Sequence, residues 1–325
     1  MTVAYQSIFG RRLGLTPNGL MVDGRMIGAG PLGLGRGKTI YVDSQVGGSD
    51  GSSPLTALAT LDSAFDKCTA NQGDVIVVMP NHAETITGAG GITHDIAGVS
   101  VIGLGNYNQR PRFLMDAGTT VTYLISAADA YVSGLEFASG HSNVVTCFNV
   151  TGVGAWIDDC KFRNNTTNED FLSCIKATGA DASANGLKVT RCDWYTTDTD
   201  DGPMIVFAGS TADVVIGGSA QDANRMLTSS STAAQLVSVA TGKILTNADI
   251  GYNRCINAMT SGELFISNDG TTNTGFVHNN FVGHADVTGA HDAGWDGGGF
   301  RLFNNLSSSV DNLQGFPFPA IDVNL

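Results

Sequence analysis

Short apolar runs alternate with Gly-, Asn- and Ser-rich breaks along almost the whole chain. Between residues 37 and 84 the runs take a definite order. Thr39-Ile40-Tyr41-Val42 is a short β-rich run, and a turn-rich loop follows, Gly47-Gly48-Ser49-Asp50-Gly51-Ser52-Ser53-Pro54. From Leu58 to Lys67, apolar residues fall at Leu58, Leu61, Ala64 and Phe65. That spacing gives a helix one apolar face. Gln72-Gly73-Asp74 then turns the chain into Val75-Ile76-Val77-Val78-Met79, a wholly apolar run that predicts a buried strand and stops at Pro80-Asn81.

From residue 82 the pattern becomes a ladder of short strands. Val99 to Asn106 predicts a strand ending in a Gly/Asn turn, and Phe113-Leu114-Met115 and Val121 to Ile125 follow. A loose motif then recurs: apolar, two residues, Cys or Asn, one residue, then aromatic or apolar. It reads Ile157 to Phe162 and Val189 to Trp194, in part Tyr252 to Asn257, and more loosely Val132 to Phe137, Val277 to Phe281 and Leu302 to Leu306. The step from Phe137 to Phe162 equals the step from Phe281 to Leu306. A repeat of that length, roughly 25 residues, is about one coil of a solenoid, whose coils satisfy their open edges by stacking. In-register Cys is expected inside as a small filler. Asn is expected at turns, where its side chain bonds the backbone; Asn164-Asn165, Asn279-Asn280 and Asn304-Asn305 are the candidates. Thr196 to Gly202 predicts an acidic loop, and Ala223 to Ala240 a loop running into a strand. The prolines of Phe316-Pro317-Phe318-Pro319 exclude a central strand there and suit a cap on the last coil.

The order at the start of the chain resembles the opening of the pectate-lyase-like right-handed parallel β-helix family. The resemblance is carried by Tyr41-Val42-Asp43, Gly48-Ser49-Asp50-Gly51, Leu61 to Lys67 and Gly73-Asp74-Val75-Ile76-Val77. It implies an all-β fold: one single-stranded right-handed parallel β-helix with an N-terminal capping helix and an extended N-terminal arm. The expected organisation is an arm over residues 1–38, the parallel β-helix over 39–315 and a C-terminal cap or tail over 316–325. The scaffold alone does not fix function, since it carries lyases, hydrolases, adhesins and inert virion parts.

Composition sharpens this. The 325 residues include 42 Gly but only 8 Pro, and 14% are charged, which suits short strands and tight turns and disfavours helical bundles. A net charge of −13 argues against nucleic acid and anionic membrane as partners. No apolar run long enough to span a membrane is present, and the opening stretch from Met1 to Leu20 lacks the apolar core of a secretion signal. The six Cys lack metal-finger spacing and are expected to be free, buried thiols made in a reducing cytosol. Residues 1–38 differ, with Arg11, Arg12, Arg25, Arg36 and Lys38 against Asp23 alone; the rest of the chain therefore sums to −17. Such a segment cannot build its own core. It is either an unattached tail or, as favoured here, a basic arm that docks on a partner.

Candidate chemistry is sparse. Asp158-Asp159 and Asp193 fall on neighbouring coils, with Asp198, Asp200 and Asp201 nearby. Stacked carboxylates on a β-helix face are how enzymes of the resembled family bind calcium or place an acid and a base. A lyase also needs a base, for which Arg163 and Arg191 are the nearby candidates. Adjacent Asp158 and Asp159 cannot share a strand face, and solvated turn carboxylates account for the same pattern. Asp198 to Gly202 lacks the distal Glu of a calcium loop. His278, His284 and His291-Asp292 could form a His/Asp site or sit at turns. No Gly-x-Ser-x-Gly elbow occurs, and Gly103-x-Gly105 lacks the rest of a dinucleotide motif.

The resemblance, with no evident catalytic pair, implies a structural bacteriophage virion protein: a capsid decoration or head-fibre component. Its expected partners are capsid or tail proteins bound through Arg11, Arg12, Arg25, Arg36 and Lys38, and other copies of itself, with a homotrimer favoured. No cofactor, metal, nucleic acid or membrane is expected. The alternatives are a tailspike-type polysaccharide lyase or hydrolase using Asp158, Asp193, Arg191 and Asp201, or a glycan-binding adhesin stacking sugars on Trp156, Trp194 or Trp295.

Overall fold

A computed structural model describes residues 37–306 with their side chains, except 165, 167, 198, 200, 232–233, 260–264, 267–271 and 285–297. It describes strand backbones alone at 4–8, 11–16, 19–22, 25–27, 267–268, 307–309 and 312–317.

The chain is a parallel β-solenoid of the right-handed type, as expected. Three long sheets run along it. The first has ten strands, from Thr39–Val42 to Arg301–Phe303, and the third has seven, from Ile92–His94 to Ile266–Asn268. The second runs from Ala83–Ile86 to Leu306–Ser309, and Asn312–Pro317 closes it antiparallel. Among the described residues, seven coils carry a strand in all three sheets. Coils differ in length: the one from Val132 to its stacked neighbour Ile157 is short, and the one from Ile40 to Ile76 is much longer. Loop insertions absorb the irregular period.

Register follows from which residues face inward. In the first sheet Ile76, Val101, Val132, Ile157 and Val189 are stacked neighbours, all fully buried. β-branched side chains pack well on a pleated surface, and a one-residue slip would turn the whole column outward. In the second sheet the inward column reads Phe113, Phe137, Phe162, Trp194, Met226, Cys255, Val282. Phe113 and Phe137 stack with centroids 5.4 Å apart, and Phe148 of the third sheet meets Phe137 edge-on at 4.8 Å. Such aromatic pairs add about 0.5–1.5 kcal/mol each beyond the area they bury.

The corner between the first and second sheets is the tightest part of most coils. One residue there takes a left-handed conformation: Gly134, Asp159, Arg191, Tyr252, Asn279 and Asn304 in different coils. The next residue points inward as Leu135, Cys160, Cys192, Asn253, Asn280 or Asn305, with Asn224 at the same register. From Asn224 onward these form an amide ladder. Asn224 Nδ2 donates to Asn253 Oδ1 (2.9 Å), Asn253 Nδ2 to Asn280 Oδ1 (3.0 Å) and Asn280 Nδ2 to Asn305 Oδ1 (3.1 Å). The same amides donate to the carbonyls of Val189, Ile216 and Ile250. The Cys and Asn ladder expected from sequence is therefore present, with one correction. Asn253, not Cys255, continues the Cys160–Cys192 column; Cys255 lies in register with Met226 and Val282.

Other expectations change in detail. The helix is Leu61–Phe65, shorter than the apolar spacing suggested, because Thr60 caps it (its hydroxyl accepts from the Ser63 amide) and Leu58 instead bridges Val42. Leu61, Ala64 and Phe65 bury its apolar face. Ala223 to Ala240 holds two strands, Arg225–Leu227 and Val237–Val239, the first carried by the single inward residue Met226. The terminal strand begins at Asn312, inside the span assigned to the parallel body, and Pro317 sits in it on a sheet edge, where a missing N–H is tolerated. Residues 4–27 show no strand period, yet their backbone forms a four-stranded antiparallel sheet, Ala4–Ile8, Arg11–Thr16, Gly19–Val22 and Arg25–Ile27, separate from the solenoid sheets. A dipeptide joins each pair of partnered strand ends, and one such dipeptide is Asp23-Gly24, a hairpin signal.

The packed interior can be probed at two of its buried polar groups. Asn253→Ala leaves Asn280 and Asn224 atoms buried without their partners. Each buried polar group left unsatisfied costs about 1–3 kcal/mol, so urea denaturation should show a loss larger than for Asn247→Ala on the exposed surface. His94 lies buried in the third sheet, its ring 4.6 Å from Phe65. Burial pushes its imidazole down to about 3. The unfolded chain therefore binds the extra proton: stability is complete above pH 6.5 and falls as pH drops towards about 3. The loss is on the order of 4–5 kcal/mol, and a plot of unfolding free energy against pH between 7 and 4 should be flatter, by up to one proton, in His94→Leu.

Candidate functional site

In strand Trp156–Asp158, Ile157 points into the core, so Trp156 and Asp158 face outward. Asp158 is nevertheless fully buried, because Arg191 of the next coil reaches back over it. Arg191 sits at the corner with φ +56, a conformation that an Arg adopts only against strain. Among the described residues, thirteen non-glycine residues have positive φ, and nine are Asn or Asp; Tyr107, Ala182, Arg191 and Tyr252 are the exceptions.

Five donors converge on the Asp158 carboxylate. They are both Nε (2.9 Å) and Nη2 of Arg191, the Thr190 hydroxyl (2.7 Å), the Tyr131 hydroxyl (2.8 Å) and the Ser133 hydroxyl (3.3 Å). Trp156 Nε1 donates to Thr190 Oγ1 at 2.8 Å. Burial alone would raise the Asp158 pKa, but the Arg191, Thr190 and Tyr131 bonds outweigh it and hold the carboxyl below its ordinary value. Arg191, whose charge burial opposes, is raised by the same pairing. A carboxylate with its lone pairs so occupied has none left for a substrate proton or a metal.

Around this pair lies an aromatic surface. Tyr131, Trp156 and Lys188 are successive outward neighbours; the two rings meet at 5.0 Å and Lys188 Nζ lies 5.7 Å from the Trp156 ring. Further along the same sheet, His278 stacks on Phe303 at 4.9 Å and its Nε2 donates to Asp249 Oδ1, 2.7 Å away. Phe276 and Tyr252 flank it.

The remaining sequence candidates do not join this site. Asp193 faces outward from the second sheet, bound by Arg163 Nη2 (2.6 Å) and near Arg225 (3.6 Å). Asp201 is fully buried before Ile205–Phe207, where it accepts from the Thr228 hydroxyl. Asp159 pairs with Arg110 (3.1 Å). The four residues named for a lyase or hydrolase do not form one site: Asp158 lies in the first sheet, Asp193 in the second and Asp201 at the turn into the third, so only Asp158 and Arg191 come together. Lys38 binds its own body, its Nζ reaching the Lys67 carbonyl and its amide the Asp74 carboxylate. Arg11, Arg12 and Arg25 lie on strands of the N-terminal sheet, and Arg36 lies outside the described residues. Trp194 is a core residue and no stacking platform, while Trp295, His291, Asp292, Asp198 and Asp200 lie outside the described residues. His284 is buried. Among the described residues no three His, Cys, Asp or Glu side chains are grouped to hold a metal, and no helix is long and apolar enough to cross a membrane. All six Cys are free and five are buried; burial pushes the Cys255 thiol up to about 12.

Sequence reasoning missed Tyr131, Ser133 and Thr190. Tyr131 precedes Trp156 by the same step that separates Phe137 from Phe162, and that signal was available. It also missed a recess of about 370 Å³ at the start of the second sheet, lined by Asn81, His82, Tyr107, Arg110, Arg112 and Glu136 among others.

No family model matches the chain, and no curated protein matches it. Among solved structures, a rhamnogalacturonan lyase aligns over 86% of this chain and 89% of its own, at 14% identity and a TM-score of 0.39. The fold assignment rests on the strand pairing described above, and no chemistry is carried over from that neighbour.

Removing Arg191 alone strands a buried charge. Arg191→Met should cost about 3–5 kcal/mol, and adding Asp158→Asn should recover part of that loss. Urea titrations of the two single variants and the double variant measure the coupling.

Proposed function

We propose that this chain is a structural, non-catalytic rod of a bacteriophage particle, a decoration or head-fibre component anchored through residues 1–38 and assembled as a homo-oligomer. The observation that carries the reading is the state of its carboxylates. Asp158 is sealed beneath Arg191, Asp193 is held by Arg163, and Asp201 is buried, so each acid offered for catalysis already serves the fold. The separate N-terminal antiparallel sheet, in a segment with five basic residues, supports an attachment role distinct from the rod. Capsid or tail proteins are the partners it would fit, and the virion its location.

A second reading, a glycan-binding adhesin, is favoured by one observation: Tyr131, Trp156 and Lys188 present an aromatic and cationic column on a flat sheet face. A polysaccharide lyase or hydrolase has no comparable support.

Deletion of residues 1–36, which keeps Lys38 on the buried Asp74, should leave the circular dichroism and melting of the body unchanged and abolish co-sedimentation with particles. Equal attachment by residues 37–325 would remove the anchoring role. Incubation with acidic and neutral capsular polysaccharides should release no unsaturated or reducing ends. Release that disappears in Asp158→Ala would establish an enzyme instead, and binding without cleavage that is lost in Trp156→Ala would establish the adhesin.

A further inference from the structure

The twelve Lys and Arg residues after residue 38 are unevenly spread. Five of them, Arg112, Lys161, Arg163, Arg225 and Arg254, occupy the two outward columns of the second sheet, against two acids, Glu136 and Asp193. Both acids are already taken, Glu136 lying 3.8 Å from Arg112 and Asp193 bonded to Arg163. The face thus carries a positive excess on a body of charge −17. Its later half is also apolar. Tyr195, Leu227 and Ile256 are stacked neighbours, the first two more than a third exposed, and beside them Arg254 lies 5.5 Å from the Phe281 ring. Tyr, Arg and large apolar residues in one cluster are the composition of interface hot spots.

A row of exposed acids runs along the far side. In a three-sided coil the corner between the third and first sheets stands opposite the second sheet. At that corner Asp95, Asp129, Asp181 and Asp213 are all exposed. Asp181 meets Lys243 at 3.0 Å and Asp213 accepts from Asn247. The second sheet's outer face is thus basic and apolar, and the edge opposite it carries four exposed acids.

We propose that the outer face of the second sheet docks the acidic third-to-first corner of a second copy of this chain. The inference rests on the homo-oligomeric part of the reading above and names the surfaces. The occupant is a second copy because the complementary charge is on the chain itself, at an edge running along the same axis over the same coils. Nine strands at ~4.8 Å spacing and four residues of width give a face of roughly 500 Å². The corner loops beside it bring this towards the ~800 Å² per partner of a standard interface. The two surfaces are different, so the contact is heterologous: each copy offers one of each.

Sedimentation equilibrium of the full chain tests this, at 20 and 500 mM salt. The wild type should self-associate, at least ten-fold more weakly in high salt. Arg225→Glu with Arg254→Glu, and separately Asp129→Lys with Asp213→Lys, should each weaken association at least ten-fold. An equimolar mixture of the two should recover a one-to-one pair, because each variant keeps one intact surface. Arg225→Ala with Arg254→Ala provides a milder form should the charge reversals unfold the chain. A monomeric wild type at all concentrations overturns both this inference and the homo-oligomeric reading. Wild-type association by the arginine variants overturns the surface alone, as does a mixture that fails to pair. Alginate retained by the wild type in place of self-association, and lost in the arginine variants, assigns the face to an acidic glycan and overturns the proposal.

Discussion

Everything in this molecule depends on coils stacking in register. A strand of three or four residues buries too little to stand alone. Here each short strand satisfies its backbone groups on the coil before and the coil after, and inward residues line up into columns of one kind. The tight corner between the first and second sheets enforces that alignment. In most coils one left-handed residue turns the chain, and the following side chain is delivered to the same place. Where that side chain is Asn, it bonds both the next coil's amide and a backbone carbonyl, so the corner itself becomes a second ladder.

The same constraint explains the surface chemistry. Register that stacks like residues inside also stacks whatever faces outward. It brings Tyr131 beside Trp156, and Lys161 between Glu136 and Asp193, as cross-strand neighbours. Alternating charges and aromatic pairs then stabilise the register that created them. Asp158 illustrates the cost of such placement. A carboxylate between coils must be fully bonded to remain charged, and the fold meets that need with Arg191 held in a strained conformation. Ionic groups that resemble a catalytic constellation in sequence are, in space, the ties between successive laps.

The rod also separates its charge. With the core apolar and the corners fixed, charged residues can occupy only outward columns and loops. Five bases fall in the outward columns of the second sheet and four exposed acids at the third-to-first corner, while the net charge stays strongly negative. Net charge alone is therefore a poor guide to what any one side of this molecule would attract.

How far could this be read from residues? The strand at Thr39–Val42, the buried run at Val75–Val78, the repeat that stacks Phe137 on Phe162 and the Cys and Asn ladder were all legible, because each depends on periodicity or on turn chemistry local to the chain. The N-terminal meander was not, although Asp23-Gly24 hinted at it, since four short strands with Gly and Arg between apolar residues break the alternation that marks a strand. The column of Cys255 was misread because one Cys was matched to another: the motif begins at Ile250, which pairs with Ile216, so Asn253 takes the Cys192 place and Cys255 falls two residues further on, beside Met226. The candidate site was legible as a set of residues and illegible as an arrangement. Sequence alone determined that this chain coils, and which residue types fill and turn the coil. Tertiary structure alone decided that Asp158 is sealed, that Asp193 and Asp201 face elsewhere, and that Trp194 is core while Trp156 is surface, because the sheet a residue falls in and the alternation along its strand set which side of the rod it reaches.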